Sequence, residues 1–118
     1  MGIRARHPDG VLTQAEVEDE IIRFSDLLEE ATMSSAGMAE ELSQAEVTLK
    51  RKEALELLKV MEGTVPEKAA RVTLNTIEEF QVVHILAANL KSRYKLMDYY
   101  DSTIGSLRTL AANARSQY

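Results

Sequence analysis

The sequence predicts an all-α protein, a long antiparallel helical hairpin of the coiled-coil type, and three observations support this. Turn-forming residues concentrate at residues 7–10 and 63–66, so a long segment almost free of glycine and proline follows each cluster. Apolar residues in the first segment recur in alternating steps of four and three, as in a coiled coil. The two segments also carry net charges of opposite sign, which suits packing against each other.

Helix-start signals set the predicted boundaries. Thr13 is followed three residues later by Glu16, and Thr64 by Glu67, and each pair has the spacing of a capping box. We therefore expect a mobile segment over residues 1–12 and one domain over residues 13–118. Within that domain we expect a helix over 13–62, a turn over 63–66, and a helix or helix pair over 67–115.

A further capping-box pattern, Thr76 followed by Glu79, lies inside the second segment. Together with nearby β-branched residues it favours a kink or interruption near residues 73–76. The hairpin would then carry a short extra helix directly after the turn.

The first helix presents a stripe of apolar residues that we expect to form the hairpin seam. Residues 33–37 in its middle are mostly small, which indicates either a close approach of the partner helix or a weak point, and we favour the close approach. The large apolar members of the predicted seam are Val17, Ile21, Phe24, Leu28, Met38, Leu42 and Leu49.

Charge supports an antiparallel register. Residues 14–62 hold 13 acidic and 5 basic side chains, a net of −8, whereas residues 63–118 hold 5 acidic and 7 basic ones, a net of +2. Folding the chain at the turn brings together residues whose numbers sum to roughly 128. The basic residues 50–52 then lie opposite Glu78 and Glu79, while Arg108 and Arg115 lie near residues 16–20.

The second helix carries an apolar face wider than one helical neighbour covers. We expect the excess to be buried by a second copy in a twofold homodimer, a four-helix bundle. The alternative is a monomer whose second arm folds back as a third helix. The residues of the candidate oligomer interface are Phe80, Val83, Leu86, Leu90, Tyr94, Met97, Tyr100, Ile104 and Leu107.

Composition argues against most catalytic chemistry. The chain lacks cysteine, and its two histidines, His7 and His84, do not stand in a metal-binding spacing. Neither a nucleophile elbow nor a glycine-rich phosphate loop is present. We expect a protein that is not an enzyme, with no catalytic residue, metal ion or cofactor.

Nucleic acid is a partner that the sequence permits but does not favour. Lys91, Arg93, Lys95 and Tyr99 lie close together, and cations interleaved with aromatic rings can bind single strands. The net charge of −5 disfavours nonspecific binding to phosphates. No apolar run is long enough to span a bilayer, so we expect no membrane contact and a cytoplasmic location.

Two stretches and a link carry a resemblance to a protein family. The acidic segment over residues 16–32, the link over 64–67 (TVPE) and the closing segment over 106–115 (SLRTLAANAR) resemble small helical proteins of actinobacterial phages. The resemblance covers most of the chain but is weaker at residues 33–38 and 79–84. Genes for such proteins often lie among replication and recombination genes, and the family supplies no catalytic residues.

The resemblance and the two-arm pattern together suggest a function. We expect a phage accessory protein, an oligomeric helical scaffold or modulator that works through protein–protein contacts, with a role in phage DNA replication or recombination. One alternative is a single-stranded nucleic-acid binder. The other is a host-takeover protein. It would bind a bacterial target through its acidic arm (residues 14–62) or through its apolar tip, the apolar residues on both sides of the turn at 63–66.

Overall fold

The computed structural model describes residues 13–60 and 62–116, and the predicted mobile segment over residues 1–12 lies outside them. Three helices cover nearly all of the described residues: α1 (Gln14–Lys59), α2 (Val65–Asn75) and α3 (Ile77–Ser116). No strand occurs within these ranges, so the all-α prediction is confirmed.

Contacts divide the chain into two compact units. The first comprises Met1–Ser34 and Arg93–Tyr118, as far as these are described, and the second comprises Ser35–Ser92. In each unit a part of α1 packs antiparallel to a part of α3, which confirms the predicted helical hairpin. The two units are described separately below.

The first unit has a well-packed apolar core. Leu107 is completely buried, and Val17, Phe24, Ile104 and Ala111 are each at most 5% exposed. Four half-buried side chains surround this cluster: Ile21, Leu27, Leu28 and Tyr100.

Aromatic contacts join the helices of the first unit at Phe24. The ring of Phe24 lies 5.9 Å from the ring of Tyr100 and 6.4 Å from that of Tyr99, in tilted and edge-on geometries that aromatic pairs prefer. The Arg23 guanidinium stands 4.4 Å from the centre of the Phe24 ring. It also donates to Glu20 at 2.7 Å, and this hydrogen bond raises the pKa of Arg23.

The first helix, α1, begins at Gln14, directly after Thr13, and its start shows a variation of the capping box. The Glu16 amide donates to the Thr13 hydroxyl at 3.2 Å, as expected for a cap. The Glu16 carboxylate accepts from that same hydroxyl at 3.0 Å. Thr13 thereby joins the first turn of α1 through its side chain.

The predicted seam of α1 coincides with its inward stripe. In the first unit Val17 and Phe24 are buried and Ile21 and Leu28 are half-buried. In the second unit the stripe continues through Met38, Leu42 and Leu49, all half-buried. Of the small residues near the middle of α1, Ala31 and Ser35 are buried as well.

The second unit turns at Gly63 and starts α2 with a complete capping box. The Glu67 amide donates to the Thr64 hydroxyl at 3.3 Å, and the Glu67 carboxylate accepts from the Thr64 amide at 3.2 Å. Gly63 adopts a φ of 115°, which side chains of L residues rarely tolerate. The Arg71 guanidinium closes the turn by donating to the Glu62 carbonyl at 3.1 Å.

The predicted interruption of the second segment lies at Thr76, between α2 and α3. The amide of Thr76 donates to the carbonyls of Val72 and Thr73, and its hydroxyl donates to Val72 at 2.8 Å. The Phe80 amide then donates to the Thr76 carbonyl at 3.0 Å. Because backbone hydrogen bonds continue on both sides, the break is confined to Thr76. The Thr76 hydroxyl closes α2, and Glu79 pairs across the unit with Lys52.

Replacing Leu107 with alanine tests the core of the first unit. Because the side chain is fully buried, we expect a loss of about 2–5 kcal/mol in the free energy of unfolding. Leu110→Ala is the matched control, since Leu110 lies on the same helix and is 45% exposed. Urea denaturation followed by circular dichroism measures both, and equal losses would contradict the assignment of the core.

Replacing Gly63 with alanine tests the turn of the second unit. A Cβ at Gly63 would lie 2.9 Å from the Glu67 carboxylate, at a backbone angle unfavourable to alanine. We expect a loss of about 1–2 kcal/mol in stability. Gly37→Ala is the control: nothing lies within 4 Å of its added Cβ, so this helical change should stabilise by about 0.5–1 kcal/mol. Thermal unfolding distinguishes the opposite signs.

Candidate protein-interaction surface

The second unit buries little of its own apolar material. Among its described residues, Ser35, Leu90 and Thr76 are the buried ones, so Leu90 is the single buried hydrophobic side chain. α2 contains no buried residue. A unit of this size normally closes around a core of several apolar residues. The unit as it stands therefore leaves its main hydrophobic surface in water.

The apolar residues of this unit are instead exposed on all three helices. The extreme cases are Val65, Leu58 and Leu74, at 82%, 75% and 72% exposed. Large exposed apolar groups of this kind, gathered in one half of a protein, indicate a binding surface. We name the following residues the exposed apolar set: Val47, Leu55, Leu57, Leu58, Val65, Leu74, Ile77, Phe80, Val82 and Ile85.

The first turns of α3 show why one neighbouring helix cannot cover this surface. Val83 and Leu86 lie on the inward stripe and are half-buried, whereas Phe80, Val82 and Ile85 on other sides are at least 50% exposed. The segment thus presents apolar side chains on several sides, a pattern that is typical of helices with more than one neighbour. More than one neighbour is needed to cover it.

Polar residues occupy the part of the inward stripe that lies nearest the turn. The steps of α1 continue from Leu49 to Lys52 and Glu56, both half-buried. Lys52 Nζ donates to the two Glu79 oxygens at 2.5 and 3.1 Å, and Asn75 Nδ2 donates to Glu56 Oε2 at 3.1 Å. We name these four residues the polar layer. Such a layer fixes the register of two helices more than it stabilises them.

The charges of the polar layer perturb each other. The hydrogen bond between Lys52 and Glu79 raises the pKa of Lys52 and lowers the pKa of Glu79. The predicted approach of the basic residues 50–52 to Glu78 and Glu79 is realised in this one pair. The sequence analysis does not predict the Glu56–Asn75 contact. The seven-residue spacing from Leu42 to Leu49 and on to Glu56 is the signal that places Glu56 on the inward stripe.

An exposed aromatic pair lies within this half of the molecule. The rings of Phe80 and His84 stack nearly parallel, with centres 6.3 Å apart and an interplanar angle of 13°. Both residues are exposed, and they stand one turn apart on the outer side of α3. Large aromatic side chains are typical anchors of protein interfaces.

The residues predicted for an oligomer interface divide into two groups. Seven lie on the inward stripe of α3, where they are buried or half-buried: Val83, Leu86, Leu90, Met97, Tyr100, Ile104 and Leu107. Ile104 and Leu107 belong to the core of the first unit. Phe80 and Tyr94 are 54% and 47% exposed and remain available to a partner. The predicted set therefore combines residues of the α3 seam with residues of its outer surface.

Three of the four candidate nucleic-acid residues are exposed, and the fourth, Arg93, is half-buried. Lys91 belongs to the second unit and is exposed. In the first unit Lys95 is exposed and Arg93 is half-buried on the inward stripe. Tyr99 is 45% exposed, although its ring packs edge-on against Phe24. An aromatic ring held in this way offers less of its surface for stacking on a base.

The described part of the chain contains neither a membrane-spanning helix nor a cluster of metal-binding side chains. No helix there is sufficiently long and apolar to cross a membrane. No three metal-binding side chains of histidine, aspartate or glutamate are grouped there.

Acidification tests the polar layer. The lowered pKa of Glu79 means that its contribution to stability is present above the ordinary value of 4.5 and is lost as pH falls through the lowered one. We expect Glu79→Gln to lower the melting temperature at neutral pH and to reduce the loss of stability on acidification. Glu46→Gln, at an exposed position of the same unit, is the control. Equal pH profiles for wild type and Glu79→Gln would contradict the contact.

None of the protein-family models, curated proteins or solved structures compared with the chain matches it. What the surface does must therefore be inferred from its own residues.

Proposed function

We propose that this protein is a non-enzymatic helical scaffold, a homodimer that acts through protein–protein contacts made by its second unit. The observation that carries the proposal is the contrast within that unit. Among its described residues one hydrophobic side chain is buried, while ten large ones form the exposed apolar set. A surface of this composition is stable in water when another protein covers it.

A second copy of the chain is the partner that the charges favour. Residues 35–92 hold nine acidic and seven basic side chains, so the unit is nearly neutral. Two such surfaces can meet without strong repulsion, and neither selects a partner of opposite charge. Each large apolar side chain contributes about 1.5–3 kcal/mol when removed from water. Several on each copy can offset an association cost of roughly 4–15 kcal/mol.

The resemblance to actinobacterial phage proteins supports a setting for this scaffold. We place it in phage DNA replication or recombination within the bacterial host, where it would hold or modulate a protein of that machinery. The half-buried position of Arg93 and the packing of Tyr99 disfavour direct binding of single strands.

Light scattering coupled to size exclusion tests the dimer. At tens of micromolar we expect the wild-type protein to elute with twice the mass of one chain, and Leu58→Glu to elute as a monomer with its helicity retained. Met33→Glu is the matched control, because Met33 is 70% exposed, close to the 75% of Leu58, but lies in the first unit. A monomeric wild-type protein would overturn the dimer.

A comparison of captured proteins tests the setting. Wild-type protein and Leu58→Glu are used as matched baits in lysate of infected host cells. We expect replication or recombination proteins of the phage to be retained by the wild-type bait alone. Retention of host proteins only would contradict this setting and support the host-takeover alternative.

A further inference from the structure

Arg93 occupies an unusual place in the first unit. It stands on the inward stripe of α3, which continues through Met97, Tyr100, Ile104 and Leu107. In the described part of this unit Arg93 is the one charged residue on that stripe, and it is half-buried. An arginine at such a position takes the place of an apolar side chain in the seam, which costs stability.

Lys52 shows how this chain treats the other cation on its inward stripes. Its ammonium group has Glu79 within hydrogen-bonding distance. Among the described residues, by contrast, no carboxylate lies within salt-bridge distance of the Arg93 guanidinium. A half-buried cation without a counter-charge breaks the packing pattern of its seam, and such breaks are typical of functional sites.

The surroundings of Arg93 provide space for that counter-charge. A cleft of about 250 Å³ opens beside it. Ala31 and Ser34 on α1 are too short to fill the space, and the Ser34 hydroxyl already donates to the Ala31 carbonyl at 3.2 Å. The lining consists of Leu27, Glu30, Ala31, Ser34, Arg93, Leu96 and Tyr100.

We propose that this cleft binds a carboxylate attached to an apolar group, with Arg93 as the residue that pairs with it. The planar fork of a guanidinium matches a carboxylate with two parallel hydrogen bonds. The side chains of Leu27 and Leu96 offer apolar contacts to the remainder of the ligand. The carboxylate can come from a small organic acid or from an acidic side chain of a bound protein.

Charge and size restrict the ligand. Glu30 lines the same cleft, so a dianion such as phosphate meets repulsion that a single carboxylate meets to a lesser extent. The volume is below the usual range of pockets for drug-sized ligands, about 300–1,000 Å³. A compact acid or one acidic side chain fits these limits.

Titration monitored by NMR tests the site in the full-length protein. The probes are benzoate, its neutral analogue benzamide, inorganic phosphate, and a leucine-rich helical peptide with one glutamate or with glutamine in its place. We expect shifts at the Arg93 side-chain N–H and the Ser34 and Leu96 amides with benzoate or the glutamate peptide. The acid that binds identifies the source of the carboxylate. Absence of shifts with both, or equal binding of the neutral analogues or of phosphate, would overturn the proposal.

Two variants and a control distinguish binding from structure. Arg93→Gln should weaken binding about tenfold or more. Arg108→Gln, at an exposed arginine of the same helix and unit, should leave it unchanged. Arg93→Leu should abolish binding and raise the melting temperature, because leucine completes the apolar seam. A lowered melting temperature for Arg93→Leu would show that Arg93 stabilises the fold, and it would overturn the proposal, as would unaltered binding by Arg93→Gln.

Discussion

A helix can offer only one narrow stripe to a single neighbouring helix, and the rest of this structure depends on how the chain allots its apolar residues to that stripe. In the first unit the allotment is conventional. Phe24 and Leu107 lie on the inward stripes and are buried. In the second unit Lys52 and Glu79 take inward positions, while Phe80 and Leu58 are exposed. One half of the protein is therefore self-sufficient in core, and the other is not.

The two halves differ in what their interactions accomplish. Apolar burial in the first unit supplies free energy without strongly favouring one register. The paired charges of Lys52 and Glu79, with Glu56 and Asn75 one turn away, supply little energy at their partly exposed positions. They do penalise every register in which one partner would be left unpaired. The register of the helices and the free energy of folding thus depend on different parts of the same helices.

The helical hairpin could be predicted from the sequence because the signals for it are local and repeated. The step of the apolar residues along α1, the capping box at Thr64 and the disturbance near Thr76 each predicted a feature that the structure contains. The seam of α3 was harder to predict. The periodicity analysis considers apolar residues alone, so it does not assign Arg93 and Glu79 to the seam. It assigns Phe80 and Tyr94 instead, which lie on a neighbouring row of the helix and are exposed.

The candidate surface was only partly readable for a related reason. That the second helix has excess apolar surface follows from its sequence, but its division into covered and uncovered sides requires coordinates. Ile104 and Leu107 looked like interface residues because they are apolar, and they proved to be core because α1 covers them. Val65 and Leu74 lie on α2, a short helix that contains no buried residue, and both side chains are exposed.

The placement of the strong core has a consequence for how the chain folds. Lys52 and Glu79 are 27 positions apart, whereas Phe24 and Tyr100 are 76 apart. The entropy of loop closure grows so slowly with length that the longer closure costs only about 1 kcal/mol more. The apolar contacts at Phe24 can outweigh that difference. We therefore expect the rate-limiting nucleus to join distant segments of the chain, with the turn-proximal half consolidating afterwards, in the reverse order of a hairpin that zips from its turn.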